Sequence, residues 1–215
     1  MSELLFNELP RPTFRWLRVN HTVSSLAGED TAVQSIAVEA NKNILSPLPV
    51  GTALLDGNYE GANKEAVHVL VEKAEGYAIN VPPKAKEVVG IRIDANARVA
   101  NRFQFIVGEG AELEVQFYVT GSGDALTNVS YLNEYDVKEA GKVVVKKVNL
   151  LPEHVQHIEH RYTKLEEKAD VEYINIEIGG SENILNYYHD LVGQESRMVH
   201  DIAYLGNKEQ KDRKS

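Results

Sequence analysis

The chain has no cysteine in its 215 residues, which excludes disulfide bonds, thiolate metal ligands and cysteine nucleophiles. It also lacks any run of about 18 apolar residues, the length that a membrane-spanning helix requires. Its first residues, MSELLFNELP, are too acidic and too poor in apolar residues to form a signal peptide. These absences predict a cytoplasmic protein that does not contact a membrane.

Basic residues are in the minority, with 23 Lys and Arg against 32 Asp and Glu and a formal net charge of −9. An acidic chain repels phosphate backbones, so we expect no nucleic-acid partner. The end of the chain, 207–215, is polar and of mixed charge, and we expect it to be frayed. Hydrophobic residues still make up 43% of the chain, which is enough to bury a core.

Proline is scarce in the second half of the chain, and the segment 1–60 differs from the remainder. The segments 14–20 (FRWLRVN) and 31–40 (TAVQSIAVEA) have short alternating apolar patterns, which predict short strands in an irregular region. The segment 62–75 (ANKEAVHVLVEKAE) predicts a helix, with Asn63 as N-cap and Gly76 as its stop. Its apolar face contains Ala66, Val67, Leu70 and Val71.

Strand signals dominate from about residue 88 onward. Val, Ile, Tyr and Phe are dense there, and short runs show partial alternation of apolar and polar residues. The runs are GIRID, RFQFIV, ELEVQFYV, KVVVKKVNL, VEYINIEIG and RMVHDIAYL. A further strand, GYAINVPP, is predicted just before them and ends at Pro82 and Pro83, which have no N–H to donate.

The strands recur with a period of about 29 residues, within the range that is typical of repeat architectures. In one strand of each unit, three sets of equivalent positions keep this spacing: Leu126, Val155 and Ile184; Val129, Ile158 and Tyr187; and Tyr131, His160 and His189. In the other strand the equivalents are Leu113, Val143, Val171 and Met198, which recur less strictly. Two strands per unit at this period indicate a solenoid, in which equivalent side chains stack in columns and bury a continuous core.

A parallel β-helix fits this repeat better than other repeat folds do. The Leu and Asn pattern of leucine-rich repeats is absent, and propeller blades carry four strands. Glycine suits tight corners between coils, and the connectors contain Gly108, Gly110, Gly121, Gly123, Gly141, Gly179, Gly180 and Gly193. We therefore predict a mainly β protein with an irregular or helical region at 1–75, a right-handed parallel β-helix (solenoid) at 76–207 and a polar tail at 208–215.

Three stretches give the chain a resemblance to the SufB/SufD family of iron–sulfur cluster assembly proteins. The segment 75–93 (EGYAINVPPKAKEVVGIRI), at the end of the predicted helix, is similar to the strand with which the family's β-helix begins. The segment 102–121 (RFQFIVGEGAELEVQFYVTG) looks like the family's first core coils, and the coil pattern continues through 200–207 (HDIAYLGN). Together the similar stretches cover 75–207.

The resemblance implies a non-enzymatic scaffold in iron–sulfur cluster assembly, with a SufC-like ATPase and other Suf components as partners. It implies no permanently bound cofactor and at most a transient iron–sulfur cluster, held through the assembly complex. The chain departs from the family in having no cysteine, no late ser–his–gly motif and no helical C-terminal region. We therefore expect a fragment or a natural short member, and no functional residue is carried over from the family.

Histidines form the first candidate site. His154, His157 and His160 would share a face on a helix, where they could bind a metal, but on a strand His157 points away from the other two and we expect solvent-facing side chains. His160 and His189 fall in one column with Tyr131, so the two imidazoles could share a metal or titrate as a pair. No carboxylate or thiolate completes such a site. We predict a polar ladder, with no metal ligand and no catalytic residue.

Two further patterns suggest chemistry that their spacing does not support. The glycine-rich segment 119–125 (VTGSGDA) lacks the Gly-Lys-Ser/Thr ending of a phosphate-binding loop, and we predict a turn between coils. The acidic pairs Glu112/Glu114 and Glu166/Glu167 could serve glycoside hydrolysis only if two carboxylates faced each other across a sugar. A carbohydrate-active β-helix, either a polysaccharide lyase or a hydrolase, is the alternative function.

The last predicted coil, 197–206 (RMVHDIAYLG), has no obvious cap. An exposed last strand is a template for pairing with another chain. We therefore expect a homo-oligomer, most simply a homodimer with two-fold symmetry, that forms through the open end of the solenoid.

Overall fold

The computed structural model describes residues 3–6, 22–25, 36–55, 64–122, 126–206 and 211–214. These residues form one helix, α1 (Lys64–Lys73), and fifteen strands. The strands are β1 (Glu3–Phe6), β2 (Thr22–Ser25), β3 (Ile36–Glu39), β4 (Leu45–Leu48), β5 (Gly76–Val81), β6 (Lys86–Asp94), β7 (Val99–Val107), β8 (Glu112–Thr120), β9 (Thr127–Val137), β10 (Lys142–Leu151), β11 (Val155–Leu165), β12 (Asp170–Gly179), β13 (Glu182–Leu191), β14 (Arg197–Leu205) and β15 (Lys211–Lys214).

Two sheets form the walls of the molecule. Sheet I has the strand order β14-β12-β10-β8-β6-β3, and sheet II has the order β15-β13-β11-β9-β7-β5-β4. From β5 to β14, neighbouring strands within each sheet are parallel. The chain therefore alternates between the sheets and advances by one strand position in each coil. This confirms the prediction of a mainly β protein with a parallel β-solenoid, which makes about five turns.

Antiparallel strands cover the N-terminal end of both sheets. β3 pairs with β6 in sheet I, and β4 pairs with β5 in sheet II. β3 lies within the segment 31–40, where a short strand was predicted. These pairings satisfy backbone groups that would otherwise form an open edge. At the other end, β15 lies within the segment predicted to be a polar tail and pairs with the first residues of β13.

The column predicted for the strands of sheet I is confirmed. Val143 lies opposite Leu113 on one side and opposite Val171 on the other. Val171 in turn lies opposite Met198. The first three side chains are buried in one hydrophobic core, and Met198 packs against that core.

The columns predicted for sheet II are wrong in register. Tyr131 lies opposite Glu159 instead of His160, and His189 lies opposite Thr163 instead of His160. The other predicted columns are displaced as well: Val155 lies opposite Thr127, Val129 opposite His157, and Tyr187 opposite Arg161. The error is one position between β9 and β11 and three positions between β11 and β13. A shift by an odd number of residues moves a side chain to the other face of the sheet, so both errors exchange the inside and the outside.

Coil length varies, and this explains the error. Asn128 lies opposite Gln156, which is 28 positions later in the sequence. Gln156 in turn lies opposite Glu182, which is only 26 positions later. The second spacing is shorter because only two residues separate β12 from β13. Gly179, at the end of β12, has a φ of +82°, and a Cβ there would lie 1.9 Å from the carbonyl oxygen of Leu151. A side chain therefore does not fit at this corner.

Most corners before the strands of sheet I do not use glycine. The residue two positions before each of β6, β8, β10, β12 and β14 has a left-handed φ between +54° and +62°. These residues are Lys84, Gly110, Ala140, Lys168 and Glu195. The corners stack on one another. The N–H of each of the first four left-handed residues donates to a carbonyl oxygen in the next corner, at 2.8–2.9 Å. Four residues with a Cβ therefore accept a backbone conformation that costs roughly 1–2 kcal/mol each.

The predicted helix is confirmed as α1. The four residues of its predicted apolar face are buried, and α1 packs against Leu132 and Tyr162 on the outer face of sheet II. Arg102 stabilises this contact, because its Nη1 donates a hydrogen bond of 2.8 Å to the carbonyl oxygen of Val71. The predicted N-cap, Asn63, and the strand predicted at 14–20 lie outside the described residues. Within the residues described, no helix has the length and apolarity that crossing a membrane demands.

Candidate functional site

The inside of the solenoid changes from apolar to polar along its length. On β6 and β8 the buried inward side chains are Val, Ile, Leu and Phe. On β10, β11 and β12, polar and charged side chains occupy the middle of the inner face. We call this set the polar lumen; its members, each at most 1% exposed, are Lys147, Asn149, His157, Glu159, Arg161, Asn175 and Glu177.

Four charged groups lie at the centre of the polar lumen. Lys147 Nζ lies 2.5 Å from Glu159 Oε2 and 2.5 Å from Glu177 Oε1. Arg161 Nη2 lies 2.6 Å from Glu159 Oε1. Burial alone would raise the pKa of Glu159, but the charges of Arg161 and Lys147 outweigh it and hold that pKa well below its usual range. Two cations and two carboxylates therefore neutralise one another out of contact with water.

His157 connects this ionic cluster to the part of the core that the earlier strands form. Its Nε2 lies 3.0 Å from the hydroxyl of Tyr131, and its Nδ1 lies 3.1 Å from Nδ2 of Asn149. Asn149 also donates to Glu177 Oε2 at 2.9 Å. Burial, with a contribution from the charge of Lys147, lowers the pKa of His157 to about 4. The imidazole is therefore neutral at pH 7, and its Nδ1 also lies 3.3 Å from Oδ1 of Asn183.

Arg161 is held between two aromatic rings. Its guanidinium carbon lies 4.3 Å from the ring centre of Tyr173 and 4.2 Å from that of Tyr187. Cation–π contacts of this kind favour the charged guanidinium in a desolvated site. The Tyr187 hydroxyl donates to Glu159 at 3.1 Å and accepts from Asn175 Nδ2 at 3.0 Å. Arg161 and the aromatic rings together close the polar lumen toward the last coil.

The structure places the three clustered histidines in different environments. His154 lies in the turn before β11 and is partly exposed. His157 points into the polar lumen and His160 points to the outer face of sheet II, as expected for two strand residues of opposite parity, but both are 0% exposed. The prediction of solvent-facing side chains is therefore wrong for these two residues. Both faces of β11 are covered, because the inside is packed and α1 lies near the outside.

The remaining predicted histidine pair does not form. His160 lies opposite Asn186, with His160 Nδ1 3.3 Å from Asn186 Nδ2, and His189 belongs to a different position on the inner face. Tyr131 is in neither column and contacts His157. The predicted polar ladder of Tyr131, His160 and His189 therefore does not form.

The acidic pairs lie on the surface beside lysines. Glu112 pairs with Lys86 at 2.8 Å, and Glu114 pairs with Lys146 at 2.9 Å. The hydrogen bond from Lys86 lowers the pKa of Glu112, whereas a general acid in glycoside hydrolysis needs a raised pKa. In the second pair, Glu166 accepts from Lys138 and Glu167 accepts from Lys168, each at 2.9 Å.

The glycine-rich segment connects two strands of different sheets. Its first residues end β8, and β9 begins shortly after it, as predicted for a turn between coils. Residues 123–125 lie outside the described part of the chain. In the described residues, no group of three or more His, Asp or Glu side chains could hold a metal ion.

The ionic cluster was not predicted, although one signal for it was present. Val143, Val145, Lys147 and Asn149 alternate on β10, and the correct sheet I column already placed Val143 inside. A period of two then places Lys147 and Asn149 inside as well. Buried lysine and asparagine on an inner face require partners from other strands, and these partners could have been sought on β11 and β12.

Comparison with known proteins relates the solenoid to one family. The family model described as "SUF system FeS cluster assembly, SufBD core domain" matches residues 91–213, which is more than half of the chain. No curated protein and no solved structure gave a match. The matched region begins within β6 and continues to β15, so it contains the whole polar lumen. The chain therefore belongs to the SufBD core family of the SUF system, and its role lies in iron–sulfur cluster assembly.

Proposed function

We propose that this chain is a non-enzymatic scaffold in iron–sulfur cluster assembly, working with a SufC-like ATPase and other Suf components. The observation that carries the proposal is the SufBD core match over the coils that contain the polar lumen. We propose that the complex works in the cytoplasm, where such a partner would have ATP. Any cluster is cargo of the complex, since a chain without cysteine offers no thiolate to hold one permanently.

The chemistry of the polar lumen supports a role without catalysis. A general acid or base must reach the proton that it transfers. The side chain of Lys147 is buried and forms ion pairs of 2.5 Å with two buried carboxylates, those of Glu159 and Glu177. Groups arranged in this way hold strands in a defined register, which is what a scaffold requires.

The partnership is tested with purified proteins. The untagged chain is mixed with a SufC-like ATPase from the same genome and separated by size-exclusion chromatography, with and without ATP. We expect the two proteins to elute together and the chain to increase the rate of ATP hydrolysis. Separate elution together with an unchanged hydrolysis rate would contradict the proposed partnership.

We further propose that the chain forms a homodimer through the last coil. In the described residues, β14 is the last strand of sheet I and has no strand on its outer side. Apolar side chains lie on the outer face beside this edge: Ile176 is 38% exposed and Leu205 is 64% exposed. An uncovered edge with flanking apolar surface is suited to pairing with a second copy.

One substitution at this edge tests the homodimer. Ala203 is exposed on the outer face of β14, opposite Ile176, and Ala203→Arg adds a charge of the kind that blocks edge pairing. Val88→Arg is the matched control, because Val88 is 58% exposed on β6 near the covered end. By light scattering, we expect dimers for the unmodified chain and for Val88→Arg, and monomers for Ala203→Arg. A monomeric unmodified chain at micromolar concentration would refute the interface.

A further inference from the structure

Two histidines face each other across the inside of the last coil. His189 lies on β13 and His200 lies on β14, so they come from opposite sheets. Their ring centres are 6.2 Å apart, and the rings are nearly perpendicular, with an interplanar angle of 87°. Tyr173 lies beneath both rings, with its centre 5.4 Å from each. The two imidazoles therefore point into the space inside the coil.

This space lies at the last described coil of the solenoid. Both histidines are partly exposed. Among the described residues, β14 is the last strand of its sheet, and β15 covers only Glu182–Leu185 at the beginning of β13. Neither histidine therefore has a described strand over it.

His189 is in the form that binds metals. Burial, together with the charges of Arg161 and His200, lowers its pKa to about 3, so the imidazole is neutral at pH 7. Neutral imidazole is the ligand form, and a protonated ring would have to lose a proton first. Both ring nitrogens of His189 are buried without a hydrogen-bond partner among the described residues. Such a buried polar group is costly unless something binds it.

The nearby positive charge does not exclude a cation. Arg161 and His189 both lie against the ring of Tyr173, at 4.3 Å and 5.4 Å from its centre, so they are close to each other. The charge of Arg161 is balanced by Glu159, 2.6 Å away, and the charges of Lys147 and Glu177 cancel as well. The ionic cluster below the two histidines is therefore neutral as a whole.

We propose that His189 and His200 together bind one divalent transition metal ion at the open end of the solenoid. With a metal–nitrogen bond of about 2.1 Å and about 1.1 Å from nitrogen to ring centre, two imidazoles on one ion have centres about 5.2 Å apart at a tetrahedral angle and about 6.4 Å apart in a linear arrangement. The observed 6.2 Å lies between these values and near the linear one, so the two rings would bind on opposite sides of the ion. Imidazole selects ions of the zinc, nickel, copper and iron group over magnesium and calcium. This site goes beyond the scaffold role and does not depend on it.

Water would complete the coordination. No group of three or more His, Asp or Glu ligands occurs in the described residues, so the protein supplies two ligands. We therefore expect weaker binding than at structural zinc sites, which have four protein ligands.

Cobalt(II) is a suitable probe because its visible absorption reports nitrogen ligation. The full chain, without an affinity tag, is titrated with Co²⁺ by calorimetry and by absorption spectroscopy, with Mg²⁺ as the control ion. We expect one Co²⁺ per chain and no heat from Mg²⁺. His189→Asn and His200→Asn should each weaken Co²⁺ binding at least tenfold, and the double variant should abolish it. His68→Asn, at an exposed position on α1, should bind as the unmodified chain does.

A second measurement keeps the proposal testable if the variants do not fold. Diethyl pyrocarbonate modifies accessible imidazoles, and mass spectrometry then identifies the modified residues. Co²⁺ should protect His189 and His200 in the unmodified chain and leave His68 reactive. The proposal is overturned if the unmodified chain does not bind Co²⁺, if a folded double variant binds it equally well, or if Co²⁺ protects neither histidine. ATPase binding and dimer formation have their own tests.

Discussion

The two ends of the solenoid fill their interiors with different kinds of side chain. At the N-terminal end, β3 and β4 cover the first coil, and the inner columns are apolar, as at Ile91, Phe105 and Phe117. Toward the C-terminal end, the inner face carries charged side chains such as Lys147 and Glu159. Apolar burial is non-directional, so each side chain contributes separately. A buried ionic cluster is stable only when it is complete, because each charge left alone must be desolvated without a partner.

The largest difference between the two halves should appear when the ionic cluster loses its lysine. Lys147→Met preserves most of the volume but leaves Glu159 and Glu177 without their shared cation. We expect a loss of about 3–5 kcal/mol in the free energy of unfolding, measured by urea denaturation. Lys146→Met is the matched control, because Lys146 is the neighbouring residue on the outer face and pairs with Glu114 in solvent. Its cost should stay below about 1 kcal/mol, and equal costs for the two variants would contradict the described cluster.

Acid should destabilise the polar half through its neutral histidine. The pKa of His157 is lowered to about 4, mainly by burial, from a value near 6.5 in the unfolded chain. Between these two values the unfolded chain binds the additional proton, so the free energy of unfolding decreases as the pH falls. We expect His157 to account for a loss of about 3 kcal/mol between pH 7 and pH 4.

Urea denaturation at several pH values measures this loss. His157→Asn should reduce the slope of stability against pH in that window, whatever its effect on stability at pH 7. His68→Asn, on the exposed face of α1, should leave the slope unchanged. An identical slope for the unmodified chain and His157→Asn would mean that His157 does not stay neutral inside the fold.

The apolar half should tolerate a comparable change better. The ring of Phe105 stacks on Tyr135, with centres 4.5 Å apart, and Phe105 is fully buried. Phe105→Leu removes part of the ring and keeps the site apolar, so we expect a loss of about 1–2 kcal/mol by urea denaturation. Val88→Ala, at an exposed position of β6, should change stability by less than about 0.5 kcal/mol. If Phe105→Leu cost more than Lys147→Met, the contrast between the two halves would fail.

The smallest expected effect concerns the corners, which both halves share. Ala140 and Gly110 occupy equivalent left-handed corners, with φ of +54° and +62°. Ala140→Gly should stabilise the chain by about 0.5 kcal/mol, because relief of the left-handed strain slightly exceeds the entropy cost of glycine. Gly110→Ala should destabilise it by about 0.5 kcal/mol for the same reason, and this cost is conformational, since a Cβ there would meet only Lys84 Cγ at 3.8 Å. Thermal unfolding should show opposite shifts, and shifts of equal sign would contradict the common corner geometry.

The sequence predicted sheet I better than sheet II for a physical reason. On β10 the residues Val143 and Val145 alternate with exposed ones, so hydrophobicity identified the inner face and the correct column. On β11 every inward residue near the middle is polar, while the apolar Ile158 lies on the outer face near α1. Alignment by hydrophobicity therefore selected Ile158 and missed His157. Where both faces of a strand are buried, alternation no longer distinguishes them.

The facing histidines could not have been predicted from the repeat. His189 and His200 lie on strands of opposite sheets, so no column contains both. Their approach depends on the width of the last coil and on the strand register. The repeat instead suggested His160 and His189, which the shortened coil between β11 and β13 separates.

The order of apolar and polar residues was sufficient to define a strand-rich solenoid and its helix, because these depend on patterns within short segments and on their repetition. The pairing of buried charges depended on tertiary structure. Lys147, Glu159 and Glu177 come from three strands, and only the register of the coils brings their charged atoms to within 2.5 Å. A change of one residue in a connector would turn these side chains to the other face, so their contacts follow from the three-dimensional path of the chain and not from local sequence.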